Sequence, residues 1–434
     1  ILRFEDTNPG TERLEYYAAI KVGMDWLGIK YDSVEHVSDN LDVLYKKADQ
    51  IIKSNDAYVC TCSQDNISKN RREMIECNCT KQSIEDNEKL WHKMFDEKGF
   101  KEGDALLRFR GNMQSGNTTM RDPALFRINT KRHARQEQKF RVWPTYDFAG
   151  IIFDSISKVS HAMRSKEFEL RKELHHTILD KLGMEKSEFI FFGRLDLEGM
   201  PVSKSELKPL IENGKIPWYD DPRLPTLEGL RRRGIRPEAV KKFVLSLGLT
   251  KNDTVSPFAS LEAFNKKIID PESIRLHMVR NPKELKITNL PSDKFELSNH
   301  PTLDLGKRSV TINDFILIDD DDARELKKGE SIRLLGIGIV KIVDDTTLTA
   351  EFLSENAENI EKKIQWVTDE AIKIKIIIPD QLFFGETFNE DSLREIDGFV
   401  EKEYLELKDG DEIQFIRFGY CRRESTHQVI FTHK

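Results

Sequence analysis

The sequence predicts an α/β region followed by an all-β region, and three observations carry that expectation. Up to about residue 283, strand-like pieces alternate with helix-like ones: "ILRFED", an amphipathic segment from Thr11 to Leu27, "SEFIFFGRL", then helical stretches at Pro237–Leu247 and Leu261–Lys267. Such alternation is how a parallel sheet flanked by helices is written. Beyond residue 283 the apolar period falls to two in "VTINDFILID", "SIRLLGIGIVKIV", "AIKIKIII" and "DEIQFIRFGYCRRE", with turn-rich "KKGE" and "KDGDE" between them. That pattern predicts antiparallel barrels or sandwiches, and two small barrels in tandem fit the length. The charge breaks at the same place. Residues 284–434 hold 20 Lys and Arg against 32 Asp and Glu, so −12 of the net −7 lies there and the rest of the chain is +5.

A chain of 434 residues makes about two to four domains. With 38% hydrophobic and 33% charged residues it builds real cores under a strongly solvated surface. No apolar stretch is long enough to span a bilayer, and Ile374–Ile378 has lysines beside it. No secretory or transit segment opens the sequence, so a soluble, cytoplasmic protein without a membrane partner is expected. A polyanionic partner should meet the first two thirds of the chain. Two basic clusters lie there: Arg127, Lys131, Arg132, Arg135, Lys139 and Arg141, then Arg231, Arg232, Arg233, Arg236, Lys241 and Lys242. The plainer reading of each is a solvated helix face.

Four of the five cysteines crowd into "CTCSQDNISKNRREMIECNCT": Cys60, Cys62, Cys77 and Cys79. Two close pairs on either side of a short polar hairpin let four thiolates converge on one tetrahedral zinc, with no coordination position left for catalysis. The alternative is four reduced surface thiols. Cys421, on an alternating strand, reads as a core residue.

Five ordered blocks, "ILRFEDTNP" (1–9), "MRDPALFRI" (120–128), "WPTYDFAGIIFDSISKVSHAMRSKEF" (143–168), "PVSKS" (201–205) and "DDPRLPTLEGLRRRGIRPEAV" (220–240), resemble class I glutamyl-tRNA synthetases of the archaeal and eukaryotic type. Glutaminyl-tRNA synthetases share much of the pattern. The resemblance implies a Rossmann-type catalytic domain in two parts, 1–55 and 142–195. An inserted domain at 56–141 would receive the tRNA acceptor end and hold the cysteine loop. A signature-loop and helical connector would span 196–283, and two anticodon-binding β-barrels 284–434. It also implies a reaction: ATP, with Mg2+, activates L-glutamate to the adenylate, and the acyl group passes to the 3′ end of tRNA(Glu), with tRNA(Gln) a second candidate acceptor. A monomer is expected.

Site residues carry over by position. Glu5 matches the acid that holds the substrate α-amino group, and Tyr146 the tyrosine that hydrogen-bonds the amino acid. Arg164, 18 positions after Tyr146, matches the residue facing the substrate side chain. Glutamate and glutamine differ by one charge at nearly constant shape, and a guanidinium grips a carboxylate through two parallel hydrogen bonds. A simpler role for Arg164 is pairing with Glu167 or another local acid. Lys204 is the cation expected at the phosphates, with Ser203 and Ser205 as supporting donors, and Arg194 and Leu195 match a pair that meets adenine and ribose. Two positions depart from the pattern: Gly150, where relatives often place a polar residue or a cysteine, and Pro201, where the usual pattern has its first lysine.

The other class I signature, H-x-G-H, is absent from the 434 residues. Relatives carry it upstream of "LRFEDTNP", so the sequence reads as part of a longer enzyme. The competing readings are a glutaminyl-tRNA synthetase, against which Arg164 argues, and a non-catalytic tRNA-binding scaffold. In the acidic barrels, positive potential for phosphates is expected only from small patches, Lys307 with Arg308 and Arg417 with Arg422 and Arg423.

Overall fold

A computed structural model describes the chain apart from residues 202 and 357–359 and the side chain of Lys204. It divides into two compact units, one of Ile1–Arg194 with Leu249–Asp253, the other of Leu195–Gly248 with Thr254–Lys434.

The first unit holds eight strands and six α-helices. Strands β1 (Leu2–Phe4) and β2 (Val34–His36) pair in parallel around helix α1 (Leu14–Trp26). Helix α2 (Leu41–Lys53) leads into β3 (Ala57–Cys60), which joins β4 (Leu106–Phe109), β5 (Ala124–Ile128) and β6 (Val142–Pro144) in an antiparallel sheet ordered β3-β4-β5-β6. Helices α3 (Gln64–Glu73) and α4 (Ile84–Phe95) lie between β3 and β4 in the chain, each opened by a serine, Ser63 or Ser83, whose hydroxyl accepts from a first-turn N–H. Helix α5 (Tyr146–Ile156) follows β6, and β7 (His161–Ser165) pairs in parallel with β8 (Glu188–Phe192) across α6 (Arg171–Leu182). One core gathers Ile51, Trp91, Leu107, Phe126, Trp143, Phe148, Ile152 and Ile178.

Within this unit, the apolar run ahead of Arg164 forms α5, buried at every residue from Asp147 to Asp154. Arg164 sits on β7, where exposure alternates: His161 and Met163 face out, while Ala162 and Arg164 face in. The inward arginine is therefore an ordinary strand position carrying an unusual side chain. The polar hairpin expected between the cysteine pairs is corrected, because Gln64–Glu73 is helical and ends in a left-handed Met74.

In the second unit, β9 (Leu195–Leu197) pairs in parallel with β10 (Thr254–Ser256), with helices α7 (Lys204–Glu212), α8 (Leu227–Arg233) and α9 (Pro237–Leu247) between them in the chain and α10 (Phe258–Ile269) after β10. Two seven-stranded, barrel-like sheets follow the same plan. In one, Ser331–Leu334, Gly338–Asp344, Thr349–Ser354, Lys283–Thr288 and Phe315–Ile318 are neighbours in that order. In the other, the same places are taken by Glu412–Phe415, Gly419–Ser425, Gln428–His433, Ile372–Pro379 and Leu393–Val400. Each sheet is completed by two short strands, Lys363–Ile364 with Trp366–Val367 in the first and Ile274–Leu276 with Met278–Val279 in the second. This tandem repeat has no sequence period, because only topology is repeated. Two stretches read as single period-two runs are hairpins. "SIRLLGIGIVKIV" folds at Gly336, whose φ of +83° favours glycine, and "DEIQFIRFGYCRRE" folds at Arg417, with φ +65°.

Candidate active site and metal centre

Six charged residues and a histidine of the first unit join in one relay around the buried Arg164. Arg3 on β1 donates through Nε to Glu5 Oε1 at 3.0 Å and through Nη2 to Asp154 Oδ1. The other Asp154 oxygen accepts from Arg164 Nη2 at 2.7 Å. Arg164 Nη1 lies 2.9 Å from His175 Nδ1, and His175 Nε2 lies 2.9 Å from Asp147 Oδ1, whose second oxygen accepts from Arg171. The Arg164 side chain is only 6% exposed and sits 4.5 Å from the Phe189 ring centre and 5.4 Å from that of Tyr146.

Two features of this relay point to a ligand. Glu5 Oε2 is buried without a hydrogen-bond partner among the described residues, and burial raises the Glu5 pKa even with Arg3 alongside. A buried acceptor lacking a donor is costly, which makes this oxygen a natural receptor for a cation. Arg164 uses one N–H of each terminal nitrogen on protein partners, so each keeps a second.

Spacing on α5 builds the neighbourhood. Tyr146, Gly150 and Asp154 recur every four residues and so share a face. A Cβ at position 150 would stand 3.2 Å from Tyr146 Cε2, so glycine lets the Tyr146 ring lie back along its own helix. The Arg164 partner is thus Asp154, not Glu167. Sequence reading missed Arg3, Asp147, Asp154, Arg171 and His175. A signal existed for Asp154, a carboxylate closing an otherwise apolar helical run eight residues after Tyr146. For Arg3, Arg171 and His175, on other elements, there was none.

The four cysteines converge. Their Sγ atoms all lie within 4.8 Å of one another, with Cys60 to Cys77 and Cys62 to Cys79 both at 3.9 Å. A tetrahedron with metal–sulfur bonds of about 2.3 Å has edges of about 3.8 Å, so the donor set fits zinc. The Cys60 thiol, hydrogen-bonded to Cys77, draws the Cys77 pKa down to about 4 and is itself raised, while burial lifts Cys62 to about 11. Arg108, fully buried, reaches Cys60 Sγ at 3.6 Å, and Tyr58 stands 3.9 Å from Cys77 Sγ and donates to Asp122 at 3.0 Å.

In the second unit, Ser203 caps α7 in a capping box with Glu206, and its hydroxyl lies 3.0 Å from that of Ser205. Lys204 opens this helix, its side chain outside the described residues. Arg194, exposed, ends the main segment of the first unit, with its N–H on Asp253 at 2.8 Å, and Leu195 opens the second.

The basic clusters divide. Arg233 is buried against Glu262, Arg232 pairs with Glu424, and Arg236 with Glu412 and Glu272, so half of that cluster is tied up in ion pairs, leaving Arg231, Lys241 and Lys242 exposed. In the earlier cluster, Arg141 is anchored on the Asp96 and Phe100 carbonyls, while Lys131, Arg132 and Lys139 face out. The barrel patches are reduced in the same way, with Lys307 left exposed. Arg308 is buried on Glu401, Arg417 binds both oxygens of Asp322, and Arg423 holds the Tyr404 and Leu407 carbonyls.

Comparison with known proteins agrees with this architecture. Residues 1–271 match the family described as tRNA synthetases class I (E and Q), catalytic domain, and residues 273–355 and 363–424 match its two anti-codon binding domains. A glutamate–tRNA ligase of Nitrosopumilus maritimus (strain SCM1) is 55% identical over 436 residues, covering 100% of this chain and 76% of its own. That of Cenarchaeum symbiosum (strain A) is 51% identical over 435 residues, with 100% and 77% covered, and that of Pyrococcus furiosus 35% over 451, with 100% and 76%. The chain belongs to the class I tRNA synthetases of the glutamate and glutamine family. It is an ATP-dependent aminoacyl-tRNA ligase, and full-chain identity to glutamate–tRNA ligases sets it in the glutamate branch rather than the glutaminyl one.

Proposed function

We propose that the relay around Arg164 is the glutamate pocket of this ligase. Glu5 would receive the α-ammonium through Oε2, Tyr146 would hydrogen-bond the amino acid, and Arg164 would take the γ-carboxylate through the remaining N–H of each terminal nitrogen. The observation that carries this reading is the buried, unpartnered Glu5 Oε2 in the electrostatic field of a buried Arg164. An anion and a cation with unused hydrogen-bonding capacity suit a zwitterionic amino acid with an acidic side chain. On the ATP side, Lys204 at the N-terminus of α7, with Ser203 and Ser205, is proposed to meet the phosphates, and Arg194 and Leu195 the nucleoside. A helix N-terminus favours anions, which supports that assignment.

Cys60, Cys62, Cys77 and Cys79 are proposed to hold a structural zinc. With four thiolates the ion has no open position, so what it supplies is order in the inserted region.

The pocket is tested by Arg164→Ala. Two charge-assisted hydrogen bonds at about 1.5–3 kcal/mol each set a loss of glutamate affinity of at least tenfold. Calorimetric titration should show that loss for glutamate and little change for glutamine. An unchanged glutamate affinity in a folded variant overturns the assignment.

A further inference from the structure

Arg164 can read a carboxylate only if its plane is fixed, and the rings beside it do not fix it. Phe189 and Tyr146 offer faces to the guanidinium, and a face contact tolerates rotation in the plane. Direction comes from the two hydrogen bonds, to Asp154 and to His175. Asp154 is shared with Arg3, so one of its oxygens is already held from another strand. His175 is completely buried and serves Arg164 alone through Nδ1.

Elementary hydrogen-bond chemistry then settles the state of the imidazole. A guanidinium has only donors, so Nδ1 must present a lone pair to Arg164 Nη1. The proton is then on Nε2, which donates to Asp147 Oδ1 at 2.9 Å, and Arg171 holds the other Asp147 oxygen. Burial and the nearby Arg164 and Arg171 lower the His175 pKa, in keeping with a neutral ring.

We propose that His175, fixed as the neutral Nε2–H tautomer between Asp147 and Arg164, is a positioning residue for substrate selection: it turns the guanidinium so that its remaining N–H groups face a carboxylate. The proposal rests on the reading of Arg164 as the γ-carboxylate receptor. A ligand carboxylate accepts two such bonds, whereas a side-chain amide accepts through one oxygen and opposes its own NH2 to the second donor. Loss of alignment should therefore weaken glutamate more than glutamine.

The test compares His175→Leu with His175→Asn in the enzyme, beside Arg164→Ala. Leucine removes both the acceptor for Arg164 and the donor to Asp147. Asparagine restores one of each, as a neutral imidazole does. His175→Leu should raise the KM and Kd for glutamate about tenfold, with a smaller effect on kcat, and narrow the preference over glutamine by a similar factor. His175→Asn should recover most of it. Full glutamate affinity and selectivity in a folded His175→Leu protein overturn the inference, provided Arg164→Ala is impaired. If Arg164→Ala is also unimpaired, it is the pocket reading that has failed. Should His175→Leu not fold, nitrogen-15 NMR of the native imidazole decides. A neutral ring protonated at Nε2 supports the proposal, and a ring protonated at Nδ1 overturns it.

Discussion

Stripping metal from the cysteine cluster should unfold helix α3 and leave the sheet beneath it intact. The helix has ten residues and buries none of them completely; Ile67 is half-buried against the cysteines. Ordering ten residues costs about 10–20 kcal/mol of backbone entropy at about 1–2 kcal/mol each. Direct tertiary support is thin: Arg71 donates to the Thr118 carbonyl, Arg121 to that of Arg71, and Gln114 to that of Met74. At about 1 kcal/mol apiece these do not offset the cost, whereas a four-thiolate zinc contributes about 10–16 kcal/mol. Hydrogen exchange should be followed across residues 64–73 before and after chelation, with zinc counted by mass spectrometry. Amides of α3 should lose protection by about a hundredfold or more. Those of β3 and β4 should keep it, because Val59, Leu107 and Phe109 belong to a core that uses no cysteine. Equal protection of α3 with and without bound metal would refute the reasoning.

Two more predictions concern the barrels. Arg308 and Glu401 form a two-pronged pair, 4% and 3% exposed, with bonds of 3.0 and 2.8 Å, and Glu401 also accepts from the His277 N–H at 2.6 Å. Arg308→Met strands a buried carboxylate and should destabilise this region by about 3–5 kcal/mol, read from urea midpoints, while Arg308→Met with Glu401→Met should cost less; a double variant as unstable as the single one contradicts this. His277 is buried with Nδ1 donating to the Trp366 carbonyl, and burial first, then Arg308, drops its pKa to about 3. A histidine whose folded pKa is depressed stabilises above its unfolded value of about 6.5 and loses that contribution as pH falls toward the folded one. Stability between pH 6.5 and 4 should therefore fall less steeply in His277→Asn than in the native protein, and parallel pH profiles would remove His277 as a cause. The raised Glu401 pKa acts in the opposite sense and is common to both proteins.

By itself the sequence determined the fold class, the family and the cysteine site. Hydrophobic period is local, so the passage from α/β to all-β at about residue 283 is written in the chain. Motif residues such as Glu5, Tyr146 and Arg164 stand in blocks whose order survives without coordinates, and two C-x-C pairs limit where thiolates can meet. What surrounds Arg164 was decided by tertiary structure, since its partners come from α5, α6 and, through Asp154, from β1. The same holds for the arginines whose runs suggested phosphate-binding surfaces. Arg233, Arg308 and Arg423 are buried on partners 29, 93 and 19 residues away, Glu262, Glu401 and the Tyr404 carbonyl. Charge in a sequence is a count, but whether a cation faces solvent or a buried acid depends on which distant segment packs over it. The tandem barrels make the same point: the second is completed by Ile274–Leu276 and Met278–Val279, which precede the whole first barrel in the chain, a pairing no local pattern specifies.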